Sequence, residues 1–189
     1  MFARIFEAWC VRWFKRNGWS IQNSIPESIK QYVLIVAPHT SNWDFPVGVA
    51  ARKLLGLNVR YVAKKELFIW PLRSTLIRLG GYPVDRSKNN SFVDQVVGLF
   101  RNIEDFAICV TPEGTRSKVT KWKSGFYHMA LLAEVPIIMV GFDYASRKVV
   151  LADPFWPTSD KEADFEIMHR FFAGMTPKIP ENSQYTAGN

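Results

Sequence analysis

From residue 32 onward, short apolar runs the length of buried strands alternate with helical patterns. This alternation limits what the chain can fold into more than any other feature. The runs fall at 32–37, 59–63, 81–84, 106–111, 136–142 and 149–152. Between most of them apolar residues recur at helical spacing, over 42–55, 71–79, 91–103 and 124–134, and another helix is expected over 160–172. Strand and helix alternating at this pace predict an α/β domain with a mostly parallel central sheet flanked by helices. At 189 residues the chain suits one such domain, expected over 26–175. The last residues, 176–189, form a polar tail expected to be loose.

Ahead of the domain, residues 1–18 read as an amphipathic helix ending near Gly18. Phe2, Ile5, Phe6, Trp9 and Trp13 follow the spacing of one helical face, while Arg4, Arg12, Lys15 and Arg16 outweigh Glu7 on the rest. Two readings stay open on these residues: a terminal helix packed on the domain, or an interfacial helix with aromatics at the acyl boundary and cations on phosphates. The longest apolar run, Val135 to Phe142, falls well short of the ~20 residues a spanning helix needs. The first residues lack the uniform apolar core and cleavage site of a secretory signal.

Charge narrows the partners. Lys and Arg number 24 against 17 Asp and Glu, a net charge of +7. That surplus attracts anions: nucleic acid, acidic headgroups or phosphorylated substrates. No helix-turn-helix, zinc-finger or RRM signature is present, so a nucleic-acid partner is not expected. Cys10 and Cys109 make neither a disulfide framework nor a metal spacing.

In such sheets ligands gather beyond the carboxyl ends of the strands. The first buried strand delivers His39, the third Asp85 and Arg86, and the fourth the turn TPEGTRS at 111–117. Pro46 is comfortable only in a first helical turn, so a helix should start between Asn42 and Asp44. His39 then sits in the loop before it and Asp44 at its start. Either Asn42 or Asp44 is simply an N-cap, or Asp44 is a carboxylate that fixes the histidine tautomer, leaving Nε2 to take a proton. No G-x-S-x-G, Walker A, G-x-G-x-x-G or H-E-x-x-H pattern occurs. A base without a covalent nucleophile points to direct attack by a substrate hydroxyl on an activated electrophile. Arg116 offers a fork that matches phosphate, and Arg86 could reach the same anion. The stretch VAKKELFIWPL at 62–72 carries Lys64, Lys65 and Trp70. It is either an ordinary strand-to-helix connection or an apolar wall with cations near a headgroup.

Four blocks in order resemble the glycerolipid acyltransferases of the lysophosphatidate acyltransferase type. HTSNWD at 39–44 is similar to the family's H-x-x-x-x-D block, and GGYPVDRS at 80–87 to its second. PEGTRS at 112–117 is similar to its E-G-T-R block, and VPIIMV at 135–140 to its fourth. The resemblance spans about residues 31–142. It implies transfer of a fatty acyl group from a thioester on acyl-CoA or acyl carrier protein to a hydroxyl of a lysolipid, with no metal or further cofactor. His39 is then the base and Asp44 its orienting acid. Arg86, Glu113, Gly114, Thr115 and Arg116 bind the acceptor, and Lys64, Lys65, Trp70 and Pro136 are acyl-pocket or membrane-facing candidates. It also implies a peripheral protein on the cytoplasmic face of a membrane. A lyso-aminolipid or glycolipid acceptor is the alternative within the class, and a catalytically silent module that binds acidic membranes is the alternative outside it.

Overall fold

In a computed structural model of the chain, residues 2–70, 72–84 and 89–185 are described, without the side chains of 62–65, 84 and 89–91. The elements, in chain order, are α1 (Phe2–Arg16), β1 (Ser20–Gln22), β2 (Gln31–Ala37), α2 (Asp44–Leu54), β3 (Val59–Lys64), α3 (Leu72–Arg78), β4 (Gly81–Val84), α4 (Asn89–Asn102), β5 (Phe106–Val110), α5 (Gly125–Ala133), β6 (Ile137–Asp143), β7 (Lys148–Leu151) and α6 (Lys161–Ala173). The strands form one sheet in the order β1-β7-β6-β2-β5-β3-β4, parallel except for β6 against β7. The fold is α/β, with a mostly parallel sheet and helices on both faces.

The center of the sheet follows from the sequence of β2. Side chains alternate across a strand, so Leu34 and Val36 enter one core and Val33, Ile35 and Ala37 the other. The first core is completed by Cys10 and Phe14 of α1 and Val47 and Ala50 of α2. The second draws Val96 and Phe100 from α4, Phe126 and Ala130 from α5, and Met168 and Phe172 from α6. A strand covered on both faces must be apolar at every position, and burying each such side chain contributes ~1.5–3 kcal/mol.

One strand was not foreseen, and one expectation is corrected. β1 pairs in parallel with β7 although Ser20, Ile21 and Gln22 carry no apolar run. An edge strand of this length is held by its backbone bonds and by the tilted contact of Trp19 with Phe14 just before it. Over residues 176–185 the tail expected to be loose is a packed strap. The backbone N–H of Ile179 donates to Thr40 Oγ1 at 3.2 Å, and Asn182 Nδ2 donates to the Thr40 carbonyl at 3.4 Å. Ser183 is fully buried, and the Tyr185 ring lies 5.8 Å from that of His169. Polar composition hid this because the segment is fixed mainly by hydrogen bonds, to the loop at Thr40 and to Asp143 and Tyr144 at the end of β6, rather than by an apolar stripe.

The strap matters because of where that loop lies. In the sheet register Ile35 faces Val110 and Ala37 faces Gly141. The loops leaving β2, β5 and β6 therefore emerge side by side at one end of the sheet.

Candidate active site

The loop after β2 folds back on itself around one carboxylate. Trp43 is the cap residue of α2 but makes no side-chain cap bond, and Asp44 is the first residue of the helix. Asp44 Oδ2 instead accepts the backbone N–H groups of Thr40 and Ser41, each at 3.0 Å, and lies 2.9 Å from His39 Nδ1. An oxygen that already accepts two N–H bonds takes a third donor, so the imidazole proton sits on Nδ1. Nε2, the nitrogen that remains, makes no hydrogen bond among the described residues. The N-cap alternative is thus set aside, since the carboxylate faces the imidazole and its loop. Tyr144, just past β6, donates its hydroxyl to the other oxygen, Oδ1, at 2.7 Å. The carboxylate is buried, with a side chain 2% exposed, whereas that of His39 is 18% exposed.

The loop after β5 supports this arrangement from beside it. Glu113 is buried, and its Oε2 accepts the backbone N–H of His39 at 2.7 Å. Burial pushes its carboxyl up to about 7, with the Asp44 charge adding to the rise and the His39 contacts opposing it. Its observed partner is the histidine backbone, so it fixes the height of the imidazole above the sheet. Gly114 follows at φ +67, the left-handed region that glycine enters without steric cost. A Cβ there would meet the Lys123 side chain at 3.1 Å, so glycine lets this lysine lie across the turn.

His39 and Asp44 open onto a cavity of about 670 Å³ running between α2 and the sheet. Its rim holds Thr111, Gly114, Thr115 and Arg116. Its walls are apolar: Leu34, Val36 and Val59 from the strands, Phe45, Gly48 and Val49 from α2, Leu67 and Leu76 from the segment around α3. From Asp44 to Arg52 at the far end, α2 rises ~12 Å. Arg52 donates to the Leu79 carbonyl at 2.8 Å and lies 3.8 Å from Glu7, closing that end with ties to α1 and the end of α3. Cys109 also lines the cavity, and burial pushes its thiol up to about 12. It is a protonated lining group at neutral pH rather than a thiolate nucleophile.

The structure thus brings together His39, Asp44, Glu113, Gly114, Thr115 and Arg116. Arg86 lies outside the described residues, as do the side chains of Lys64 and Lys65. Trp70 is 90% exposed and is not part of the cavity wall; Leu67 from the same stretch is. Pro136 precedes β6 at the opposite end of the sheet from His39, where its carbonyl accepts the N–H of Val33, and it too is absent from the wall. Tyr144 and Thr40 went unnoticed in the sequence. The rule that singled out His39, a polar group just past the carboxyl end of a buried strand, applies equally to Tyr144.

Known proteins are similar to this chain in sequence. A 1-acyl-sn-glycerol-3-phosphate acyltransferase of Salmonella typhimurium (strain LT2) is 31% identical over 143 residues, 71% of this chain and 57% of that protein. Proteins of the same name are 32% identical over 149 residues in Limnanthes alba, 73% of this chain and 50% of that protein, and 33% identical over 96 residues in Cocos nucifera, 46% of this chain and 31% of that protein. The chain spans less than two thirds of the length of each of these relatives. A sequence model of the family described as Acyltransferase matches residues 19–143, which takes in the His39–Asp44 loop, the Glu113–Arg116 turn and the strands that carry both. On that match, the chain belongs to the acyltransferase family.

Proposed function

We propose that this chain is an O-acyltransferase that moves a fatty acyl group from a thioester donor, acyl-CoA or acyl carrier protein, to a hydroxyl of lysophosphatidate or a related lysophospholipid. The observation that carries this reading is the 2.9 Å contact between His39 Nδ1 and Asp44 at the mouth of a long apolar cavity. In the proposed reaction Nε2 takes the proton of the acceptor hydroxyl as its oxygen attacks the thioester carbonyl. The C–O bond forms, the tetrahedral oxyanion collapses, the C–S bond breaks, and the departing thiolate takes the proton from the imidazolium. A thioester needs no protein nucleophile, which fits a site whose lining thiol, Cys109, stays protonated. Arg116 at the rim, with Arg86, receives the acceptor phosphate, and the cavity receives the acyl chain.

The same reading places the protein on the cytoplasmic face of a membrane. No helix among the described residues is long and apolar enough to cross one. Phe2, Ile5 and Trp9 of α1 are exposed, as are Ile69 and Trp70 just before α3 and Leu72 at its start. Arg4, Arg12, Lys15 and Arg16 are exposed on the same helix. Aromatics and cations so arranged suit an interface of acyl chains and phosphates. The test is to offer the full chain acyl-CoA or acyl carrier protein together with lysophosphatidate, other lysophospholipids and a lyso-aminolipid, and to read products by mass spectrometry. The acylated phosphate-bearing lipid is expected as the main product. Transfer only to the lyso-aminolipid would move the acceptor, and no transfer from either donor would overturn the reading.

A further inference from the structure

The two oxygens of Asp44 are held from different parts of the chain. Oδ2 takes donors from its own loop, His39, Thr40 and Ser41, all within five residues. Oδ1 takes one donor among the described residues, the hydroxyl of Tyr144, 100 positions away in sequence. We propose that Tyr144 is a positioning residue for the His39–Asp44 pair, pinning the second carboxylate oxygen so that the first meets the imidazole in a fixed plane. This rests on the reading of His39 as the base.

Donors on Oδ2 alone hold that oxygen but leave the carboxylate free to rock about it. The terminal torsion of an aspartate is broad and nearly two-fold. A buried Oδ1 without a partner also carries the cost of an unmade hydrogen bond to a charge. The Tyr144 hydroxyl removes both problems with one contact. Its ring is fixed independently of the pair it serves. Trp19 meets it edge-on with centroids 4.9 Å apart, the Lys178 ammonium lies 5.5 Å from its center, and its backbone N–H donates to the Thr176 carbonyl at 2.9 Å. Two separate segments, the turn at Trp19 and the strap after α6, thus deliver the hydroxyl to Asp44. Burial and the neighboring Asp44 charge raise the phenol well above its ordinary range, so it stays protonated and donating at working pH. A tyrosine that only filled space here would serve equally well as phenylalanine.

That comparison is the test. Tyr144→Phe keeps the ring and removes the donor. In the full chain, kcat is expected to fall roughly 10- to 100-fold, with KM for donor and acceptor within about twofold of wild type. The low-field proton resonance of His39 Nδ1–H, assigned by its loss in His39→Ala, is expected to move and to exchange faster with water in Tyr144→Phe. In an Asp44→Asn background the same substitution should cost less than about twofold. Unchanged kcat and an unchanged resonance in folded Tyr144→Phe would overturn the assignment. So would equal losses in both backgrounds, which mark a packing effect that does not pass through Asp44. The resonance is read without substrate. A wild-type chain that transfers no acyl group would therefore defeat the functional reading while the resonance still decides the role of Tyr144.

Discussion

At the scale of single residues, the site is a set of polar groups buried where they can act on one imidazole. Glu113 shows what that burial costs. Its carboxyl sits near 7 in the fold against an ordinary value near 4.5, chiefly because burial disfavors its charge. Between those pH values the folded chain holds a proton that the unfolded chain has lost. Its contribution to stability is therefore fully present below about 4.5 and lost as pH rises through about 7. In Glu113→Gln, which keeps an oxygen for the His39 N–H and never ionizes, this loss should vanish. Denaturant melts from pH 4.5 to 8 should show wild type losing about 3 kcal/mol relative to the variant; parallel curves would contradict the assignment. The residues of this site were unequally legible. His39, Asp44 and Arg116 show themselves by type and by position after apolar runs. The partner of Glu113 does not, because a backbone N–H across a strand-to-strand register leaves no mark on composition. Tyr144 is legible only in hindsight, since tyrosine at a strand end is as often packing as chemistry.

At the scale of elements, α1 divides its apolar residues between two tasks. Ala3, Cys10 and Phe14 are buried, and Trp13 stacks on Trp43 with centroids 5.0 Å apart, so the helix packs directly against the start of α2. Phe2, Ile5 and Trp9 point outward, 76%, 58% and 46% exposed. The sequence pattern had placed all five large residues on one face, because periodicity reports apolar positions without saying which neighbor each will meet. Both readings of this helix therefore find residues to support them. Deleting it would strip Cys10 and Phe14 from the core, so substitution is the cleaner probe. Replacing Phe2, Ile5 and Trp9 with serine should leave the melting temperature within a few degrees and weaken binding to anionic vesicles by at least ~10-fold in a sedimentation assay. Undiminished binding would return α1 to a packing role. From β2 onward the strand and helix order was readable because both-face burial forces apolar runs. β1 and the strap after α6 were not, since backbone and side-chain hydrogen bonds hold them.

At the scale of the whole molecule, the sheet brings the ends of β2, β5 and β6 together, and α2 stands off from the sheet far enough to leave an apolar cavity beneath the His39–Asp44 pair. Gly48 of α2 lines that cavity, and a Cβ there would sit 3.6 Å from the Phe142 ring, an ordinary contact. Gly48→Leu should therefore fold, gaining up to ~1 kcal/mol from helix propensity, while filling space that the proposed function gives to the acyl chain. With donors of graded length, kcat/KM for long acyl chains should fall by ~10-fold or more and that for short chains should change little. A uniform loss at all lengths would mean that the acyl chain lies elsewhere. The central claim is that His39, held by Asp44, takes the proton of a lipid hydroxyl. Its most direct test is turnover of a thioester donor and lysophosphatidate on vesicles by wild type and His39→Ala, with vesicle binding and melting followed alongside. The account predicts a loss of ~10²–10⁴ in turnover with binding and melting unchanged, whereas wild-type turnover in a folded, vesicle-bound His39→Ala chain would contradict it.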